Sequence, residues 1–400
     1  GSFANNSTTD EKGICGAIAN KGTIDNINAK FDGNSANYGG AIVNVGEINT
    51  IGGTFTNNKA TTIGGAIFTS DMTTESENSI ANLKEIKNAT FRNNSTTAEE
   101  SSGGAIANAQ KTNPLKVSSS TFAENNSVLG GAIASIADMS VENSTFSKNT
   151  AKSAGGAIHN QGAKLTVNSS NFNSNSATTA GGAIYNDVIT ENDETNNTVI
   201  VKENATATIN NSTFTDNSSS TGGAIYSNDG DLNVNSSTFN NNYTTGTKVT
   251  IKADDNTTPI IASQNGGAIV SNGNLNIKSS SFNNNTANII LNDKEKKSDD
   301  ESSTEDVAAL LSPLFGGGAI ATSGSTTIDD TSFVGNSTNY NGGAILVLNS
   351  EKGTTIKNSA FANNSAGMNG GAISSGDNID GTGIFSPDNI TITDTDFVGN

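Results

Sequence analysis

Two short motifs alternate along the whole chain, and their alternation constrains the fold more than any other feature. Gly-Gly-Ala-Ile begins at residues 39, 64, 103, 130, 155, 181, 222, 266, 317, 342 and 370, preceded by the variant Cys15-Gly16-Ala17-Ile18. Phe-x-x-Asn occurs 13 times, from Phe3–Asn6 to Phe397–Asn400. The shortest spacings between like motifs are 24 to 28 residues. A unit of that size cannot bury an apolar face alone, so it stacks on its neighbours as a solenoid.

Aligning the units on Phe reveals strands. Five residues before Phe stands Val or Ile in ten of twelve units, among them Ile86, Val117, Val141, Val167, Ile209, Val234 and Ile277. Seven before it comes Leu or Ile, as at Leu115, Leu165, Leu232, Leu275 and Ile390, with a polar residue between. That is the period-two pattern of a strand with one buried face. The residue two before Phe is always small (Ala29, Gly53, Ser144, Ser237, Thr395). Phe then fills a second strand, and Gly-Gly-Ala-Ile turns a corner into a third, its Ile pointing inward.

The expected fold is all-β, a right-handed single-stranded parallel β-helix of about 12 rungs at ~4.8 Å spacing, handed as parallel crossovers are. It forms one domain over residues 1–400, with insertions at about 69–84, 107–115, 186–204, 243–264, 286–315 and 374–389, emerging at two corners. All four prolines, Pro114, Pro259, Pro313 and Pro387, fall in these stretches, as expected of a residue that cannot donate to a ladder. Residues 247–251 read as a strand of a hairpin and 305–311 as a short helix. The chain begins and ends on a Phe-x-x-Asn unit with no signal peptide or cap, the pattern of a fragment of a longer protein.

The motif residues form the structural ladder: Phe31, Phe55, Phe91, Phe122, Phe146, Phe172, Phe214, Phe239, Phe282, Phe333 and Phe361, stacked in the core. Beside them run Asn34, Asn58, Asn94, Asn125, Asn149, Asn175, Asn217, Asn242, Asn285, Asn336 and Asn364. Their amides are placed to bond turn backbone and the Asn of neighbouring rungs, and Asn accepts left-handed backbone angles well.

Gly-Gly-Ala-Ile alternating with Phe-x-x-Asn resembles the chlamydial polymorphic membrane proteins and their relatives over essentially the whole chain. The resemblance implies a surface-exposed β-helical adhesin passenger of an autotransporter, at the cell surface or outer membrane or secreted. It also implies binding to a protein or glycan on a host or neighbouring cell. Family members tend to be richer in cysteine than this chain, and no outer-membrane barrel is present in it.

Other functions find little support. A net charge of −18 with Arg92 as the only arginine argues against nucleic acid and an anionic bilayer as partners. No run of 18 apolar residues offers a membrane span, so no direct membrane insertion of this chain is expected. A carbohydrate-active β-helix or phage tailspike is the alternative, and a purely structural surface rod a further one. An enzyme of that type needs clustered outward carboxylates, yet Glu142 and Asp329 lie on distant rungs. Asp254-Asp255 and Asp299-Asp300 lack ordered calcium-ligand spacing. His159 is the single histidine and Cys15 the single cysteine, filling a small-residue slot. No catalytic residue, metal site or cofactor is expected, and the oligomeric state stays open. Asn-x-Ser/Thr sequons such as Asn143-Ser144-Thr145 read as a by-product of turns in a chain with 62 asparagines.

The residues after each Ile form an outward column: Ala19, Val43, Phe68, Ala107, Ala134, His159, Tyr185, Tyr226, Val270, Ala321, Leu346 and Ser374. An apolar stripe on a rod is covered by loops or is a docking face. The candidate partner-binding residues are Phe68, Tyr185, Tyr226 and Leu346, since aromatic anchors dominate interfaces.

Overall fold

The computed structural model describes residues 1–8, 10, 13–73, 78–193, 198–249, 265–291, 315–348, 353–376 and 389–400. Among them there are strands and turns only, and no helix long and apolar enough to cross a membrane. Most of the strands gather into three parallel sheets of 22, 12 and 11 members, each strand pairing with its counterpart in the next repeat. This is a parallel β-helix.

The first sheet carries the Val/Ile and Phe strands. Its register is residue for residue: Val141 sits opposite Val117 and Val167, and Phe146 opposite Phe122 and Phe172. The two units without Val or Ile five before Phe are explained here. Ile27 and Ile51, four before their Phe, pair in line with Ile86, and a register shift between Ile86 and Ala89 absorbs the extra residue. The second sheet follows each Asn, and the third follows each Gly-Gly-Ala-Ile.

The core is a set of columns. Phe rings from Phe3 to Phe397 stack at 4.7–5.0 Å between centroids, tilted by 3–10°. Strand pairing sets that spacing, so the rings take the geometry the backbone imposes. The Ile of Gly-Gly-Ala-Ile and the Val/Ile and Leu columns complete one continuous apolar cluster.

Each corner has its own chemistry. In Gly155-Gly156 the first glycine has φ +68°, where a Cβ would crowd the Ile158 carbonyl. The second has no room for a Cβ because the next rung's backbone lies against it. At the Phe-x-x-Asn corner the left-handed residue is the one before the ladder Asn, as at Asn57, Asn93, Glu124 and Lys148. The ladder Asn itself needs no such backbone, which corrects the role expected for it. A second left-handed residue sits three before Phe in most units, as at Ser119, Asn143 and Asn211.

Among the described residues two insertions form antiparallel hairpins, Met72–Thr73 with Asn78–Ser79 and Ile189–Asp193 with Thr198–Glu203. Thr247–Val249 does not form a hairpin strand: it pairs in parallel with Ile289–Leu291 from the next insertion. Pro114 immediately precedes a strand starting at Leu115. Pro259, Pro313, Pro387 and the helix expected at 305–311 lie outside the described residues.

Candidate functional site

Three polar ladders run alongside the apolar columns. In the first, each ladder Asn Nδ2 donates to the Oδ1 of the Asn one rung on and to a Phe carbonyl one rung back. Asn149 bonds Asn175 Oδ1 at 2.9 Å and the Phe122 carbonyl at 3.0 Å, and its own N–H reaches the same Oδ1 at 3.1 Å. The ladder Asn residues from Asn34 to Asn364 are almost wholly buried, and the pattern extends from Asn6 to Asn400. The side-chain amides of this ladder are thereby hydrogen-bonded, which removes the usual penalty of a polar group in a core.

The second ladder uses the small residue two before Phe. The Ser120 N–H donates to Ser144 Oγ at 3.1 Å, and Ser144 Oγ donates to the Glu142 carbonyl at 2.8 Å. Ser170, Ser212, Ser237, Ser280, Thr331 and Ser359 repeat this. The third ladder lies two after Ile: Asn160 Nδ2 donates to Asn186 Oδ1 at 2.8 Å, and Asn186 Nδ2 to Ser227 Oγ at 3.0 Å. Size alone marked the second ladder in the sequence. Recurrent Asn/Ser/Thr two after Ile is the signal that identifies the third.

The column after each Ile is largely covered. Leu346 is fully buried with Val270, Ala321 and Leu348, and Tyr226 packs on this cluster. Phe68 is half-buried, stacked on Tyr38 at 5.9 Å beside Val43, Val45 and Cys15. Tyr185 stacks between His159, at 5.2 Å, and Tyr226, at 5.4 Å and 10°. Rings stacked along the rod use their faces on one another and turn only their edges outward. A sugar has no free face there to lie against.

Around these rings runs a hydrogen-bonded patch. Asn272 Nδ2 donates to Tyr226 Oη at 3.0 Å and to Asn228 Oδ1 at 3.2 Å, and Asn228 Nδ2 donates to Asp187 at 3.0 Å. Burial raises the pKa of both tyrosines and of the Asp187 carboxyl. His159, a member of the outward column, is 5% exposed; its Nε2 has no partner and burial lowers its pKa to about 4.

The outward carboxylates do not converge. Glu142 pairs with Lys116 at 3.0 Å, and Asp329 with Lys357 at 3.4 Å. The Asp329 carboxyl is held below its ordinary pKa chiefly by the Asn358 amide, with Lys357 adding to it. Each acid is matched to a lysine on an adjacent rung. Asp254-Asp255 and Asp299-Asp300 lie outside the described residues, among which no three His, Cys, Asp or Glu side chains stand together to hold a metal ion. Cys15 is buried, and desolvation raises its thiol pKa, the opposite of what a reactive thiolate requires.

Stacked columns, hydrogen-bonded ladders and insertions at the corners define a repeat-built β-helical rod. The model of the Chlamydia polymorphic membrane protein repeat matches at residues 52–70, 143–161, 169–187, 211–228 and 330–347. Each match spans one Phe-x-x-Asn and the Gly-Gly-Ala-Ile that follows it. These five repeat matches support a chlamydial polymorphic membrane protein-like family for this chain. No curated protein and no solved structure matches it.

Proposed function

We propose that this chain is the non-enzymatic passenger of a surface-displayed, autotransporter-type adhesin, carried at the outer membrane or released. Its partner is a protein or glycan on a host or neighbouring cell. The observation that carries this reading is the in-register stacking of polymorphic membrane protein repeats into a rod whose insertions leave from its corners. Such a frame holds variable segments at fixed positions, and loops on a rigid scaffold are where recognition concentrates.

Of the aromatic candidates, the outer edges of Phe68, Tyr185 and Tyr226 remain accessible, whereas Leu346 contributes only to packing. The antiparallel hairpin Ile189–Asp193/Thr198–Glu203 leaves the rod directly after Tyr185 and is tied back to it by Lys111–Glu203 at 2.7 Å. Docking is therefore assigned to the Tyr185–Tyr226 edges together with this hairpin.

The test is saturable binding of the fluorescently labelled chain to cultured epithelial cells and to cells of its own source. Removing the 190–202 loop should weaken that binding without abolishing cooperative unfolding. Failure to bind any cell surface refutes the adhesin reading and leaves a structural rod. Release of reducing ends from a polysaccharide panel, lost on Glu142→Gln or Asp329→Asn, would replace it with a glycan-cleaving enzyme.

A further inference from the structure

Two groups of Asn-x-Ser/Thr sequons recur at fixed positions of the repeat and differ in structure. One group uses ladder asparagines, including Asn94, Asn125, Asn217 and Asn336. Both Nδ2 protons of these residues are committed: Asn125 Nδ2 donates to the Phe91 carbonyl at 3.0 Å and to Asn149 Oδ1 at 2.9 Å. A substituent on that nitrogen breaks the ladder and has no space in a wholly buried position.

The other group occupies the left-handed corner three residues before Phe. Asn88-Ala89-Thr90, Asn143-Ser144-Thr145 and Asn211-Ser212-Thr213 each put an exposed Asn there, with φ of 51°, 48° and 49°. Among the described residues none of the three side chains makes a hydrogen bond. By contrast Asn358, at the same corner but without a sequon, is bonded to Asp329 at 2.9 Å. The three also fall on every second rung, in the units of Phe91, Phe146 and Phe214. Ser119 and Ser169 hold the corner in the units of Phe122 and Phe172 between them. Adjacent corners stand one strand spacing apart, ~4.8 Å, too close for two sugars side by side. Two rungs give each its own space.

We propose that Asn88, Asn143 and Asn211 are N-glycosylation sites, a row of glycans along one corner of the rod. The acceptor chemistry is the ordinary one for this sequence. The Asn Nδ2 bonds to C1 of a sugar delivered as a polyprenyl-phosphate-linked oligosaccharide, the C1–O bond to phosphate breaks, and the lipid phosphate leaves with the electron pair. The amide gives up one proton. Exposed sequons off this column, such as Asn204, are outside the assignment.

The experiment is glycopeptide mass spectrometry on the chain isolated from the cells that produce it. Peptides containing Asn88, Asn143 and Asn211 should carry hexose-containing mass additions, while those of Asn125, Asn217 and Asn336 run at their unmodified mass. A Thr90→Ala, Thr145→Ala, Thr213→Ala variant expressed in the same cells keeps all three asparagines and should lose all three additions. The corresponding Thr→Ser variant should retain them, and a cooperative melt verifies that both fold. An unmodified peptide at any of the three corner sites in the native chain, or a glycan on a ladder Asn, overturns the proposal. So does retention of the additions in the Thr→Ala variant.

Discussion

A Cβ built on Gly156 stands 2.0 Å from the carbonyl oxygen of Gly182, its equivalent one rung on. The same approach recurs along the chain, from Gly65 against Gly104 to Gly343 against Gly371. The second glycine of the motif is thus a contact between backbones, while the first, with φ +68° at Gly155, serves conformation.

Gly156→Ala is expected to destabilise by roughly 3 kcal/mol or more, because the neighbouring atoms are backbone and cannot yield cheaply. Gly155→Ala also crowds a carbonyl and adds ~1–2 kcal/mol of left-handed strain. Urea titration of the two variants measures both, and a change below about 1 kcal/mol for Gly156→Ala contradicts the contact.

Phe214→Ala or Phe239→Ala should each cost ~3–5 kcal/mol through lost burial and the cavity left in the column. Their rings are neighbours at 4.8 Å, so the double variant should depart from additivity. Strict additivity in a double-mutant cycle would contradict direct coupling.

Asn149→Ala strands the Phe122 carbonyl and the Asn125 donors that bond its side chain. With ~1–3 kcal/mol for each unsatisfied buried group, the expected loss exceeds that of any exposed Asn. Asn143→Gly, at the exposed left-handed corner, should be nearly neutral or slightly stabilising. Thermal melting of the pair distinguishes ladder from corner.

His159 supplies a pH dependence. Burial lowers its pKa in the fold to about 4, so between its ordinary value and that one the unfolded chain binds the extra proton. Its contribution is complete above pH ~6.5 and falls as pH drops towards 4, by roughly 3 kcal/mol in all. The wild-type minus His159→Phe difference in unfolding free energy, followed from pH 7 to pH 4, should shrink accordingly. A difference that stays constant would mean that the imidazole takes up its proton as readily in the fold as in the unfolded chain.

The coil was legible because its repeat writes the same residue into the same place many times. The Phe column, the Val/Ile column and the glycine corners each followed from residue type and period. The serine ladder did not, since Ser144 could be read only as small until its hydroxyl was seen bonded in both directions. The left-handed backbone belongs to the residue before the ladder Asn, often Asn but also Glu124 or Lys148, so residue type alone does not locate it. Alternation places His159 and Leu346 on the outside of a strand, but outside a strand is not outside the protein: His159 is 5% exposed and Leu346 is fully buried. The parallel partner of Thr247–Val249 comes from the next insertion, a relation that local turn signals cannot carry.

Because Phe meets Phe, Asn meets Asn and Gly meets Gly from rung to rung, any two repeats are interchangeable at their junctions. Excising one whole unit between equivalent positions, for example between Phe122 and Phe146, brings the flanking columns together with their partners unchanged. Recombination between repeats in the gene can therefore lengthen or shorten the rod in whole rungs. Slippage of even one residue would bring mismatched columns together. The frame tolerates change in length far better than change in phase.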